Sequence, residues 1–232
     1  MVELENKKKE LLEKMKNSTD TKIRYDSFLD YFRLNASSEE LMLAYSMWAE
    51  TYDNDYKEIG GSELKQIRLV EKVKEVFKNE TNIRILDICC GTGRVSEFFK
   101  NSGFENVDGF DGCEEFLNKA KERNFYKNLY CELLPENTEI KTIQPNTYDA
   151  VYSVGSFIFG HLTGNHLLAI INVVKPKGKL FIICTHYEDD PIKFHPTILK
   201  LQEEGIIKYY SNERVSAGEG VIDYDLVVLE KL

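Results

Sequence analysis

From residue 82 onward the chain alternates short apolar runs with amphipathic ones, and this alternation narrows the fold more than any other feature. "NIRILDIC" reads as a strand, "GRVSEFFKNSG" as a short helix closed by Gly103, "NVDGFD" as a strand and "CEEFLNKAKER" as a helix. "NLYCELL" and "YDAVYSVG" are strands, and "GNHLLAIINVVK" is a helix that stops before Pro176. "KLFIICTHYE" is a strand, and "PTILKLQEEG" is a helix stopped by Gly205. "IIKYYSNERV" and "VIDYDLVVLEKL", split by "SAGEG", predict an antiparallel hairpin. Alternating strands and helices specify a parallel sheet covered on both faces. Ligands of such sheets sit beyond the carboxyl ends of the strands, where strand order reverses.

The first third reads as helical. "ELENKKKELLEKMKN" carries charge all round, which predicts a loosely packed or solvent-exposed helix. "SSEELMLAYSMWAETYDNDYKEIG" opens on Ser37 or Ser38 as an N-cap and is broken by Gly60 and Gly61. In "SELKQIRLVEKVKEVFKN", Leu64, Ile67, Val70, Val73 and Phe77 are spaced by three or four, which predicts one buried stripe. Residues 1–80 are therefore expected to form a helical N-terminal cap, and residues 81–232 the ligand-binding domain, in one compact unit.

Composition excludes several classes. No apolar run approaches the roughly 18–20 residues of a membrane span. The charged N-terminus lacks the apolar core of a signal peptide, so a cytosolic location is expected. Five cysteines, without a CxxC pair or a Cys/His cluster, predict reduced buried thiols and no metal site. A net charge of -9 and a pI of about 5.1 disfavour nucleic acid as the main partner.

The loop in "ILDICCGTGR" points to a ligand. Gly91 and Gly93 bare the backbone where a ligand must touch it. A dinucleotide loop of the form G-x-G-x-x-G would place its third glycine at Ser96, and Asp87 would repel a pyrophosphate. S-adenosylmethionine has no phosphate and carries two positive groups, so an acid ahead of the loop suits it. Asp111, 18 residues after Gly93 at the end of a strand, can accept hydrogen bonds from ribose hydroxyls.

In order, "ILDICCGTGR", "VDGFDGCEEFLNKA", "NTYDAVYSVGS" and "VVKPKGKLFII" resemble the successive motifs of class I S-adenosylmethionine-dependent methyltransferases. With "WAETYDNDYKEIG" ahead of them, the chain is similar to the methyltransferase-like proteins named after the Williams–Beuren chromosomal region. The resemblance covers roughly residues 48–184. It implies an α/β, doubly wound, Rossmann-like sheet of seven strands, all parallel but the last, with S-adenosylmethionine as cofactor. It places Asp87, Cys89, Gly91 and Gly93 around the methionine part, and Asp111 at the ribose. Gly112, Cys113 and Phe116 lie by the adenine, with Glu132 and Leu133 at its edge. Ser153, Val154 and Gly155 line the methyl-donor side, and Tyr52 and Trp48 cover the cofactor. The chain departs from the family at Cys89, where glycine or alanine is usual.

His161, in "SFIFGHL", and His186, in "ICTHYEDD", are candidate proton acceptors; His166 and His195 receive no role. Glu188, Asp189 and Asp190 read as a solvated loop or as an attractor for a cationic amine. "SVGSF" replaces the Asn-Pro-Pro-Tyr element of enzymes acting on exocyclic amines. The expected acceptor is a small molecule or a protein side chain. The alternatives are a catalytically silent cofactor-binding protein and an NAD(P)-dependent oxidoreductase. The acceptor atom and the oligomeric state are left open at this level.

Overall fold

A computed structural model describes residues 2–59, 63–185, 189–215 and 223–232. The break at Gly60 and Gly61, the "SAGEG" connection, His186 and Glu188 lie outside the described residues.

Seven strands form one sheet: β1 (Ile85–Ile88), β2 (Val107–Asp111), β3 (Leu129–Cys131), β4 (Tyr148–Phe157), β5 (Val174–Thr185), β6 (Ile207–Val215) and β7 (Tyr224–Lys231). Their order is β3-β2-β1-β4-β5-β7-β6. All neighbours pair in parallel except β7, which runs antiparallel to both β5 and β6. The sheet thus has the seven-stranded form the sequence implies. The chain winds outward from β1 to β2 and β3, then returns to β4 on the other side of β1. Order reverses between β1 and β4, and a crevice opens there beyond the strand ends.

Both faces are covered, so β1 and β2 are buried along their whole length. Side chains alternate across the sheet. Leu86, Ile88 and Val151 face helices α8 (Leu167–Val173) and α9 (Phe194–Glu203). Ile85, Val107, Ala150 and Tyr152 face helices α5 (Leu64–Val76) and α6 (Ser96–Asn101). Asp190, expected in a solvated or amine-attracting loop, instead accepts hydrogen bonds from the N–H groups of Phe194 (3.0 Å) and His195 (2.7 Å), and so caps α9.

Helix α5 corrects the expected stripe. Leu64 and Ile67 are 51% and 43% exposed, and the buried residues are Lys65, Gln66, Leu69, Val70 and Val73. Leu64 and Val73 are nine residues apart, and at about 100° per residue they fall on opposite sides of the helix. The seam is narrower and rotated, and it turns Lys65 and Gln66 inward.

Ahead of α5 lie α1 (Val2–Asn17), α2 (Thr21–Phe32), α3 (Ser38–Trp48) and α4 (Tyr52–Glu58). Helix α1 is exposed along most of its length but seats Leu11 and Met15 against Phe28, Tyr31, Ala44 and Trp48. Ser37, not Ser38, caps α3; its hydroxyl accepts from Glu40 N–H, and the Glu40 carboxylate accepts from Ser37 N–H and from Lys8 at 2.8 Å.

Asp55 holds these helices together. Only 1% exposed, it accepts from Trp48 Nε1 (2.7 Å), Thr51 Oγ1 (2.8 Å), Thr21 Oγ1 (3.0 Å) and both Nε and Nη2 of Arg24. Burial alone would raise its pKa, but these donors outweigh it and hold the carboxyl down at about 2. Asp55→Ala leaves Arg24 buried without its partner, so a loss of about 3–5 kcal/mol is expected. Urea unfolding followed by the fluorescence of Trp48, the single tryptophan, will measure it.

Candidate functional site

The glycine loop leaves β1 through residues that only a permissive backbone tolerates. Cys89 (φ 57°), Gly91 (φ 55°) and Gly93 (φ 79°) all lie in the left-handed region. Cys89 is the family departure noted above. A side chain there costs on the order of 1 kcal/mol of backbone strain. A Cβ on Gly93 would sit 3.3 Å from Ala120 Cα and 3.1 Å from the Tyr126 ring. Gly93 therefore serves the packing of helix α7 (Glu114–Glu122) against the loop. Ser96, at the place of a third dinucleotide glycine, is buried and its hydroxyl donates to the Gly93 carbonyl at 2.6 Å.

Two cavities flank this loop. The larger, about 880 Å³ with its open mouth, is lined by Asp111, Gly112, Phe116, Leu133 and Leu134. Ser38, Leu41, Met42, Tyr45, Ser156 and His161 also line it. The smaller, about 620 Å³, is lined by Asp87, Thr92, Arg94, Gln66, Lys65 and Tyr56. Tyr52, Cys89, Gly91, Val154 and Gly155 border both. The crevice at the β1–β4 reversal is thus a mostly apolar chamber joined to a charged one.

Asp111 ends β2 with its carboxylate fixed by backbone donors: Oδ2 accepts from Gly91 N–H (2.8 Å) and Oδ1 from Cys113 N–H (2.9 Å). Burial raises its pKa, and these N–H groups oppose the rise. Each oxygen keeps lone-pair capacity toward the cavity. Asp87 is 1% exposed, and Oδ2 accepts both the Tyr126 hydroxyl (2.7 Å) and the Tyr152 hydroxyl (2.8 Å). Both donors take the same oxygen. Burial pushes its pKa up to about 7, against the pull of the two hydroxyls and with a further push from Asp111. Among the described residues neither carboxylate is bonded to a cation, and such a pair favours a positively charged ligand.

The remaining expected residues differ in where they stand. Val154, Gly155, Leu133 and Phe116 line the larger cavity. Cys113 and Trp48 stand behind the lining: Cys113 is 2% exposed beside Phe116, and Trp48 donates to Asp55 while its ring lies edge-on to Tyr52, 5.0 Å between centroids. Ser153 is fully buried and shares a hydrogen bond with the Ser156 hydroxyl. Glu132 points elsewhere, accepting from Lys141 N–H (2.9 Å), Thr142 N–H (2.9 Å) and Thr142 Oγ1 (2.8 Å). His161 lines the larger cavity, with Nε2 hydrogen-bonded to the Tyr45 hydroxyl. Burial drives its pKa down to about 4, so the imidazole is neutral at neutral pH.

Sequence reasoning missed Tyr45, Tyr126, Tyr152, Arg94 and Lys65. Arg94 follows the glycine loop directly, and that adjacency was the available signal. Tyr126 lies in a loop with no pattern to mark it. Also missed was the clasp between α4 and the loop: Asp53 accepts from Thr92 Oγ1 (2.6 Å) and from Arg123, whose Nε donates to the Thr92 carbonyl (2.7 Å). Among the described residues no group of three or more His, Cys, Asp or Glu side chains is arranged to hold a metal ion. No helix among them is long and apolar enough to cross a membrane.

Comparison with known proteins points to methyltransferases. Residues 85–178 match the family model of a methyltransferase domain. Over 168 residues the chain is 27% identical to human methyltransferase-like protein 27, covering 70% of this chain and 66% of that protein. Over 120 residues it is 35% identical to N-terminal Xaa-Pro-Lys N-methyltransferase 1-A of Xenopus laevis, covering 47% of this chain and 51% of the relative. The matches thus span between half and two thirds of these relatives. Among solved structures, a TehB-like methyltransferase from Corynebacterium glutamicum superposes with a TM-score of 0.59 at 17% identity, over 82% of this chain and 99% of that one. A methyltransferase from Aquifex aeolicus does so with a TM-score of 0.52 at 21% identity, over 76% and 97%.

Proposed function

We propose that this chain, a class I S-adenosylmethionine-dependent methyltransferase by its matched domain and its fold, transfers a methyl group from that cofactor to a small molecule or a protein side chain. The observation that carries the reading is Asp111: a carboxylate fixed by two backbone N–H groups, with lone pairs directed into a cavity at the strand-order reversal. Ribose hydroxyls match that acceptor pair. Phe116, Leu133 and Leu134 offer an apolar slot for the adenine. Asp87 Oδ1 accepts no hydrogen bond among the described residues and suits an ammonium. Arg94, whose guanidinium lies 4.0 Å from the Tyr56 ring centroid, suits the cofactor's carboxylate. A dinucleotide fits poorly, because its pyrophosphate would meet Asp87 and Asp111.

Bound there, S-adenosylmethionine supplies a methyl carbon already activated by its sulfonium. What remains for the protein is alignment and exclusion of water, and proximity of this kind is worth several kcal/mol. Tyr52 borders both cavities, and its ring is held by Trp48 and Phe116, at 5.0 and 4.8 Å between centroids. Neutral His161 fixes the Tyr45 hydroxyl at the other wall. Helices α3 and α4 would then act as the cap over the cofactor.

Isothermal titration of the purified chain with S-adenosylmethionine and S-adenosylhomocysteine tests the proposal. Binding of both, with turnover of the first on an acceptor panel, is the expected result. Absence of heat at near-millimolar ligand ends the reading. Binding without turnover across the panel points to a silent cofactor-binding protein, and quenching by NADH to an oxidoreductase.

A further inference from the structure

Lys65 is not used by any role described so far. It lies in the first turn of α5, 7% exposed, and its seam turns it into the charged cavity. Its ammonium stands 4.5 Å from the ring centroid of Tyr224 and 5.7 Å from that of Tyr56. No carboxylate or carbonyl hydrogen-bonds it among the described residues. A buried ammonium held only by ring faces is incompletely compensated.

Its position along the sheet says which ligand it serves. The ribose acceptor Asp111 ends β2, and the glycine loop with Arg94 follows β1. Lys65 lies past them: a Cβ on Gly155, in β4, would be 3.9 Å from its Nζ, and Tyr224 opens β7. Strands lie about 4.8 Å apart, so β4 is about 10 Å from β2 and β7 about 19 Å. Lys65 therefore stands on the side away from the adenosine end, where an acceptor must approach. Charge agrees. The small cavity presents Lys65 and Arg94 against the single carboxylate of Asp87, a formal excess of one positive charge. The cofactor's ammonium and carboxylate cancel, and its sulfonium adds another.

We propose that Lys65 anchors the carboxylate of an acidic methyl acceptor beside Gly155 and Tyr52. This rests on the methyltransferase reading. A lone pair on the acceptor atom forms the bond to the methyl carbon. The carbon–sulfur bond breaks, and its electron pair stays on sulfur, which loses its charge. Any proton on the acceptor atom passes to solvent. Lys65 exchanges no proton and acts only as an anchor.

The test uses the full chain saturated with S-adenosylhomocysteine. Saturation-transfer NMR is recorded with acetate, benzoate, phenylacetate and succinate, each against its amide, on the wild type, Lys65→Met and Lys65→Arg. Titration with S-adenosylhomocysteine is run on the same proteins and on Arg94→Met. At least one acid will bind at millimolar concentration while its amide does not. Lys65→Met will weaken that acid tenfold or more and weaken S-adenosylhomocysteine far less than Arg94→Met does, and Lys65→Arg will restore binding. The proposal is overturned if no acid binds, if amides bind equally, or if Lys65→Met weakens S-adenosylhomocysteine as much as Arg94→Met does. A wild type that fails to bind S-adenosylhomocysteine removes the methyltransferase reading instead.

Discussion

Asp111→Ala will raise the Kd for S-adenosylhomocysteine by about 100-fold or more, the largest effect expected of any single substitution in the crevice. Hydrogen bonds to a charged partner contribute about 1.5–3 kcal/mol each, and two ribose hydroxyls would lose theirs together. A loss of about 2.7 kcal/mol already corresponds to about 100-fold. The same change strips Gly91 N–H and Cys113 N–H of their acceptor, so the loop loses its anchor as well. Unfolding is controlled for by comparing thermal midpoints and far-UV dichroism. The ligand series supplies a sharper control. 5′-Methylthioadenosine keeps the ribose but lacks the amino-acid portion. It should lose affinity in Asp111→Ala as steeply as S-adenosylhomocysteine does. Titration calorimetry of the two ligands on the variant decides the matter: unchanged affinity for both removes Asp111 from the ribose site.

The sequence made the sheet legible because its strands and helices are separated by clear punctuation and because β1 and β2 are short runs built on apolar residues, Ile85, Leu86 and Ile88 in one and Val107 and Phe110 in the other. Asp111 was legible for the same reason, since its place at a strand end follows once the strands are assigned. What failed was information carried by the third dimension. The α5 stripe was read with steps of three, and the accumulated angle placed Leu64 and Ile67 inside when they lie outside. That error hid Lys65. Trp48 carries the aromatic signature of a cofactor cover, but Asp55 claims its indole N–H from the next helix, and no local pattern announces such a bond. Glu132 sits where the family's motif borders the adenine, yet the N–H groups of Lys141 and Thr142 draw its carboxylate away. Tyr126 and Tyr152 reach Asp87 from 39 and 65 residues away, a convergence that spacing along the chain cannot encode.

That convergence makes cofactor affinity pH-dependent. Affinity for S-adenosylhomocysteine should rise as pH increases through about 7, the pKa to which burial pushes Asp87. An ammonium gains from the carboxylate but not from the neutral acid, so well below that pKa each pH unit should change Kd by about tenfold, flattening above it. Stability of the ligand-free protein should move the opposite way. The folded pKa lies above the unfolded value of 3.8, so the folded state binds the extra proton, and stability is lost as pH rises from about 4 to about 7. Other groups around Asp87 do not mask the effect. Burial first, then repulsion from the two aspartates, drives the thiols of Cys89 and Cys90 well above their ordinary range. Asp111 repels Asp87, so the apparent midpoint belongs to the pair. Tyr126→Phe and Tyr152→Phe each remove a donor to the carboxylate and should move the midpoint to higher pH. 5′-Methylthioadenosine, which has no ammonium, should bind with little dependence on pH over the same range. Calorimetric titrations of both ligands between pH 5.5 and 8.5 separate the cases. A flat profile for S-adenosylhomocysteine, or equal slopes for the two ligands, would show that Asp87 does not face the ammonium.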